Sequence, residues 1–190
     1  MNIEITQEFK SSLIPFSREL LEPLNLPKET FDFLSDVGLP LPEFELNANV
    51  TITFLSQPII KHYPLLQHTY LQIASLDVMG EVAIDLHYQS VHQILVTNDC
   101  GYDNAIPSLV NYSISQFVDC LGLWRSFYPQ FRKEIAAQLG IDPTFSLFEH
   151  EEMYDSIMKK LREVDPKSMR QYKFFWRRMC EPDIVDLLRK

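Results

Sequence analysis

Polar and apolar positions change their period along the chain, and the changes divide it into three regions. In LPKETFDFLSDVG, residues 26 to 38, Phe31, Leu34 and Val37 recur every three positions, the spacing of one helical stripe. Pro27 suits a first helical turn, and Glu29 and Asp32 suit its positive end. The first 38 residues as a whole read as helical. Gly38 then supplies the left-handed residue on which helices commonly end, Leu39 folds back towards the last turn, and Pro40 forbids continuation. In SDVGLPLPE this stop is followed by Pro42, which keeps the exit extended.

From residue 50 the period falls to two. VTITF (50–54), TYLQIASL (69–76), EVAIDLHY (81–88) and VHQILVTN (91–98) read as strands. The third is clearest: Val82, Ile84, Leu86 and Tyr88 are expected on a covered face, with Glu81, Ala83, Asp85 and His87 on the other. The links between the last three strands are too short for a crossover, so the strands are antiparallel neighbours.

Helical spacing returns at residue 113. Ser113 and Gln116 form an S-x-x-Q capping box with Tyr112 placed to staple onto Phe117. Behind it, Ile114, Phe117, Val118, Leu121, Trp124, Phe127 and Phe131 make the stripe of a long helix that should cross the sheet. Gly122 weakens this helix modestly and Pro129 is expected to kink or divide it. EHEEMYDSIMKKLREV and DPKSMRQYKFFWRRM predict two more helices, the second capped by Asp165 with Pro166 at its first position. The expected fold class is α+β: a central antiparallel meander with helices before and after it and a C-terminal helical extension. A single domain over residues 1–190 is expected, with a helical lead-in at 1–38, the sheet at 47–98 and helices at 111–190.

The order helix, GLP stop, meander and V-N-x-S-x-x-Q-F helix resembles the SUKH superfamily, also called SMI1/KNR4-like. The stretches that carry the resemblance are DVGLPLPEFEL (36–46), GEVAIDL (80–86) and VNYSISQFVDCL (110–121). The tail KKLREVDPKSMRQYKFFWRRM, with its Asp-Pro and downstream Phe-Trp, looks like the SUKH-4 branch. The resemblance implies function by binding: many bacterial members look like immunity proteins that hold a toxin inactive in the cell producing it, while eukaryotic relatives look like regulatory scaffolds. It implies fold roles for Gly38, Leu39, Pro40, Asn111, Ser113, Gln116 and Phe117, and no active site.

Charge adds a direction to this reading. The chain carries net charge −9, but residues 1–124 hold 15 Asp/Glu against 4 Lys/Arg, net −11, while residues 125–190 hold 11 against 13, net +2. So acidic a surface repels nucleic acid and anionic membranes and attracts a basic partner. Cys100, Cys120 and Cys180 are odd in number and widely spaced, against both a disulfide framework and a zinc site. The start MNIEITQEFK is acidic, and no apolar run approaches the ~18 residues of a membrane span. The expected location is the cytoplasm, where the sequons at Asn49 and Asn111 are chance matches.

Candidate chemistry is sparse. P-loop, dinucleotide, nucleophile-elbow and zincin signatures are all missing from the sequence. His62, His68, Asp99 and Asp103 are the best metal-ligand set on offer, but spacings of six and four are unspecific, and no metal or cofactor is expected. Glu149 to Glu152 read as a solvated helix start, and His87 and His92 as ordinary residues flanking a hairpin turn. Lys159, Lys160, Arg162, Lys173, Arg177 and Arg178 form a basic set around Phe175 and Trp176, with the aromatics expected in the core and no nucleic acid bound.

The binding reading is better supported. DCGYDNAI (99–106) is expected to leave the last strand as a loop, and loops on a rigid scaffold often carry recognition. Glu43, Glu45, Asp99, Tyr102 and Asp103 are therefore the candidate partner-binding residues, for a basic toxin or effector protein such as a nuclease. A SUKH-type regulatory adaptor is the alternative, and a small hydrolase with a noncanonical site the third reading. Oligomeric state is not legible in the sequence.

Overall fold

A computed structural model describes residues 3–47, 50–63, 66–76, 80–99, 102–139, 154–171 and 173–180. The helical lead-in is three short helices, α1 (Gln7–Ser11), α2 (Arg18–Leu21, continued by a 3-10 turn) and α3 (Lys28–Asp36). Gly38 ends α3 with φ +84°, and its amide donates to the Phe33 carbonyl at 3.0 Å. The stop is forced by a neighbour. Ile14 and Leu39 exchange two backbone hydrogen bonds, 2.9 and 3.2 Å, and a Cβ on Gly38 would lie 2.0 Å from the Ile14 carbonyl oxygen. Pro40 and Leu41 follow, and the Leu41–Pro42 peptide is cis.

The sheet has six strands where the periodicity indicates four. β1 (Glu43–Asn47), β2 (Val50–His62), β3 (Thr69–Leu76), β4 (Gly80–Asp85), β5 (Val91–Asp99) and β6 (Tyr102–Asn111) form an antiparallel meander in the order β1-β2-β3-β4-β5-β6. Of the segment expected as a loop, 99 to 106, Asp99 instead ends β5 and residues 102 to 106 make the first half of β6. Pro107 hides this strand from a sequence reading, but an edge strand tolerates a residue with no N–H. In β2, pairing slips between Phe54 and Ile59, around Pro58.

The long helix α4 (Ile114–Leu139) touches both edge strands, β1 and β6, so the sheet curls around it. Its stripe is the core: Phe117, Leu121, Trp124 and Phe127 are each at most 1% exposed. Pro129 sits inside α4 without dividing it. The opposite sheet face is covered as well, by a smaller cluster of Tyr63, Tyr70, Ala83, Ile94 and Ala105. β4 is therefore buried on both sides and stops at Asp85, which leaves Leu86 and Tyr88 in the turn rather than on a strand face.

The tail is less helical than its sequence suggests. α5 (Asp155–Val164) and α6 (Phe175–Cys180) are joined by turns over 166–169. Asp165 does not begin a helix: its Oδ1 accepts the Lys167 and Ser168 amides at 3.2 Å, and its Oδ2 reaches Asn111 Nδ2 at 3.1 Å and the Tyr112 amide at 2.9 Å. The capping box is half made. Ser113 Oγ accepts the Gln116 amide at 3.2 Å, but the Gln116 side chain donates to the Val164 carbonyl at 3.1 Å, tying α4 to the end of α5. Tyr112 is 44% exposed, with the Lys167 ammonium 4.7 Å from its ring centroid. No helix among the described residues is long and apolar enough to cross a membrane.

Candidate interaction surface

The sheet register determines where the predicted residues stand. Asn47 pairs with Val50, Leu76 with Gly80 and Asp99 with Tyr102, so three strand connections share one end of the sheet. Following the register from Glu43 through Thr53, Ser75 and Glu81 to Ile94 places Glu43 level with the middle of β5. Four strand spacings separate them, roughly 19 Å along the sheet at about 4.8 Å per strand. Glu43 and Glu45 thus form one group on the β1 edge, and Asp99, Tyr102 and Asp103 a second group near the opposite edge.

The first group faces out. Along β1, Phe44 and Leu46 are buried and Glu43 and Glu45 exposed, the alternation of a half-covered strand. Glu45 is 59% exposed and lies 3.3 Å from Arg132 Nη1 on α4. Glu43 stands at a cleft of about 360 Å³ between α1, β1 and α4.

The second group lies on a projecting ribbon. Among the described residues β4 pairs with β5 from Ile84↔Val91 to Glu81↔Ile94, whereas β5 and β6 continue together from Leu95↔Ile106 to Asp99↔Tyr102. Five residues of each strand therefore extend beyond the paired part of β4. At the departure point stands Gly80, at φ +98°, where a Cβ would lie 2.2 Å from the Ile94 carbonyl oxygen. Leu95, Val96 and Ile106 are 39%, 44% and 56% exposed, and the register puts Leu95 directly opposite Ile106. A sequence reading misses these three because the pattern of β5 looks like core. Only the end of its pairing with β4 shows that half of it is outside.

The histidines go elsewhere. His68 Nδ1 lies 2.7 Å from Asp85 Oδ2, and Asp85 Oδ1 accepts the amides of His87 and Tyr88 at 2.8 and 3.1 Å. Burial pushes the Asp85 carboxyl up, but the His68 bond and the two amides outweigh it and hold it below the usual carboxylate range. His87 is exposed, whereas His92 is drawn inside, its Nε2 2.9 Å from Ser90 Oγ, and burial lowers its pKa. His62 Nδ1 is 3.3 Å from Thr69 Oγ1. Among the described residues no three His, Cys, Asp or Glu side chains are placed to hold a metal. The acidic run 149–152 and Cys100 lie outside the described residues.

The basic tail resolves into core and cover. Phe175 and Trp176 are 2% and 0% exposed, and Trp176 packs 5.8 Å from Trp124, whose indole donates to the Leu46 carbonyl at 2.6 Å. Arg178 bonds Gln93 Oε1, and Lys160 pairs with Glu163 at 3.5 Å. Two widely separated sequence motifs, V-N-x-S-x-x-Q-F and D-P with F-W, are thereby joined in one buried network around Asn111.

The family model described as SUKH-4 immunity protein matches residues 4–182, spanning both motifs. The chain belongs to the SUKH-4 immunity protein family. No curated protein and no solved structure matches it. For this SUKH-4 chain the GLP stop, Asn111, Ser113, Gln116 and Phe117 all serve the fold, through the Ile14 bridge, the Trp176 and Asp165 bonds, the α4 cap and the core. The side chains left facing solvent at the β1 edge and on the ribbon are a different set.

Proposed function

We propose that this protein is a cytoplasmic immunity protein that neutralises a basic toxin, such as a nuclease, by stoichiometric binding and not by catalysis, its whole length acting as one domain. The observation that carries the reading is the SUKH-4 immunity protein match over residues 4–182. The charge distribution supports a basic partner, since residues 1–124 carry net −11. Potential of that sign accelerates encounter with a cation-rich surface. Glu43 and Glu45 on one edge and Asp99, Tyr102 and Asp103 on the ribbon are the proposed contacts, with Leu95, Val96 and Ile106 as the apolar component.

The test is co-expression of this gene with each toxin-like C-terminal domain encoded beside it. Growth rescue together with a copurifying complex is expected. Failure of every neighbouring domain to kill, or to be rescued and bound, overturns the reading and leaves the regulatory adaptor as the better description.

A further inference from the structure

The cleft beside Glu43 has a composition of its own. Its floor is apolar: Phe9 and Phe44 are 5% and 1% exposed and meet edge to face at 6.3 Å. Leu41, delivered by the chain leaving the GLP stop, forms part of the wall. The carboxyl-bearing residues on it, Glu8 from α1 and Glu43 from β1, are both exposed. Arg125 stands opposite, its guanidinium 5.9 Å from the Phe44 ring centroid.

Pro129 adds a fourth element. Exposed on α4, it lines the cleft beside Arg125. The cleft therefore offers two carboxyl-bearing side chains beside an apolar wall. Its volume of about 360 Å³ is at the small end for a ligand site, with room for one long side chain.

We propose that this cleft receives a lysine or arginine side chain of the partner protein. The hydrocarbon stem lies along Leu41 and Pro129 while the cation reaches Glu8 and Glu43, the way long basic side chains divide between apolar and polar surroundings. Arg125, held over Phe44, directs the incoming charge to the carboxylate side. The inference rests on the immunity reading in that it names a contact for the same basic partner, but it can be tested without that partner.

The probe is N-acetyl-arginine amide, titrated into the isotope-labelled full-length protein and followed by NMR, with N-acetyl-glutamate amide as control. Saturable shifts at the Leu41, Phe44 and Arg125 amides are expected with the arginine probe alone, at the millimolar affinity of so small a ligand. They should weaken at least about tenfold in Glu8→Gln/Glu43→Gln and stay unchanged in Glu19→Gln/Glu22→Gln, acids outside the cleft. No saturable shift, equal shifts with the glutamate probe, or indifference to the Glu8 and Glu43 changes would overturn the inference. With a rescued toxin in hand, unchanged affinity of Glu8→Gln/Glu43→Gln would remove the cleft and leave the immunity reading standing. If no toxin is rescued, that reading falls and the arginine titration decides the cleft by itself.

Discussion

The indole N–H of Trp176 donates to Asn111 Oδ1 at 2.8 Å, and both residues are fully buried. Asn111 Nδ2 turns the other way, to Asp165 Oδ2 at 3.1 Å. One amide thus joins the last residue of β6 to the turn after α5 and to α6, elements 54 and 65 positions away in sequence. The C-terminal helices are bonded to the sheet as well as packed on it.

Asn111→Ala should destabilise the fold by about 3 kcal/mol, because it leaves a buried indole N–H and one Asp165 oxygen short of partners at ~1–3 kcal/mol each. Paired with Trp176→Phe in a double-mutant cycle, it should show a coupling of at least about 0.5 kcal/mol. Urea denaturation measures both, and additive effects would mean that the bond contributes nothing of its own.

Two glycines separate backbone strain from packing. At Gly38 an added Cβ meets the Ile14 carbonyl oxygen at 2.0 Å on a φ of +84°, and neither backbone can give way. Gly38→Ala should therefore cost at least about 2 kcal/mol. At Gly122 the added Cβ meets Phe9 Cδ1 at 2.8 Å and Ile5 Cγ2 at 2.9 Å, side-chain atoms on α1 and its approach. The helix gains about 1 kcal/mol from alanine, which offsets that crowding, so Gly122→Ala should change stability by less than about 1 kcal/mol. Midpoints of chemical denaturation distinguish the two.

Strong periodicity made β3, β5 and α4 legible in the sequence, and the motif order made the family legible. The edge strands were not. β1 is five residues long and β6 contains Pro107, so neither presents a sustained alternation. The second buried face of β4 was hidden because Ala83 and Asp85 look solvent-facing, and only the fold brings Tyr63 and Tyr70 to cover that face and His68 to Asp85. Glu43 and Asp103 could be named as candidate acids, but that they sit on different edges follows from strand order, which adjacent letters do not contain.

Stability should fall with acid in two stages. His92 has a folded pKa depressed by burial, so its contribution is complete above the unfolded value of about 6.5 and is lost as pH falls through the folded value. Asp85 is also depressed in the fold. Its contribution is complete above about 3.9 and disappears at lower pH still. His92→Gln should flatten the first stage and leave the second, read from denaturation midpoints between pH 8 and pH 3 at about one-unit steps. An unaltered first stage in that variant would assign it to another group.

The two acidic groups and the apolar ribbon should act on different rate constants of toxin binding. Glu43→Lys/Glu45→Lys and Asp99→Lys/Asp103→Lys change long-range potential, so each should slow association several-fold at low salt, with the difference shrinking as the Debye length falls to about 8 Å near 0.15 M salt. Leu95 and Ile106 are opposite one another and exposed, so Leu95→Ser/Ile106→Ser removes contact area without charge. It should speed dissociation and leave association alone, as most changes of affinity within one interface do. Surface plasmon resonance at two salt concentrations separates the cases. If reversing the β1 acids slows association and reversing the ribbon acids does not, the partner approaches over β1 and the ribbon is not part of the contact.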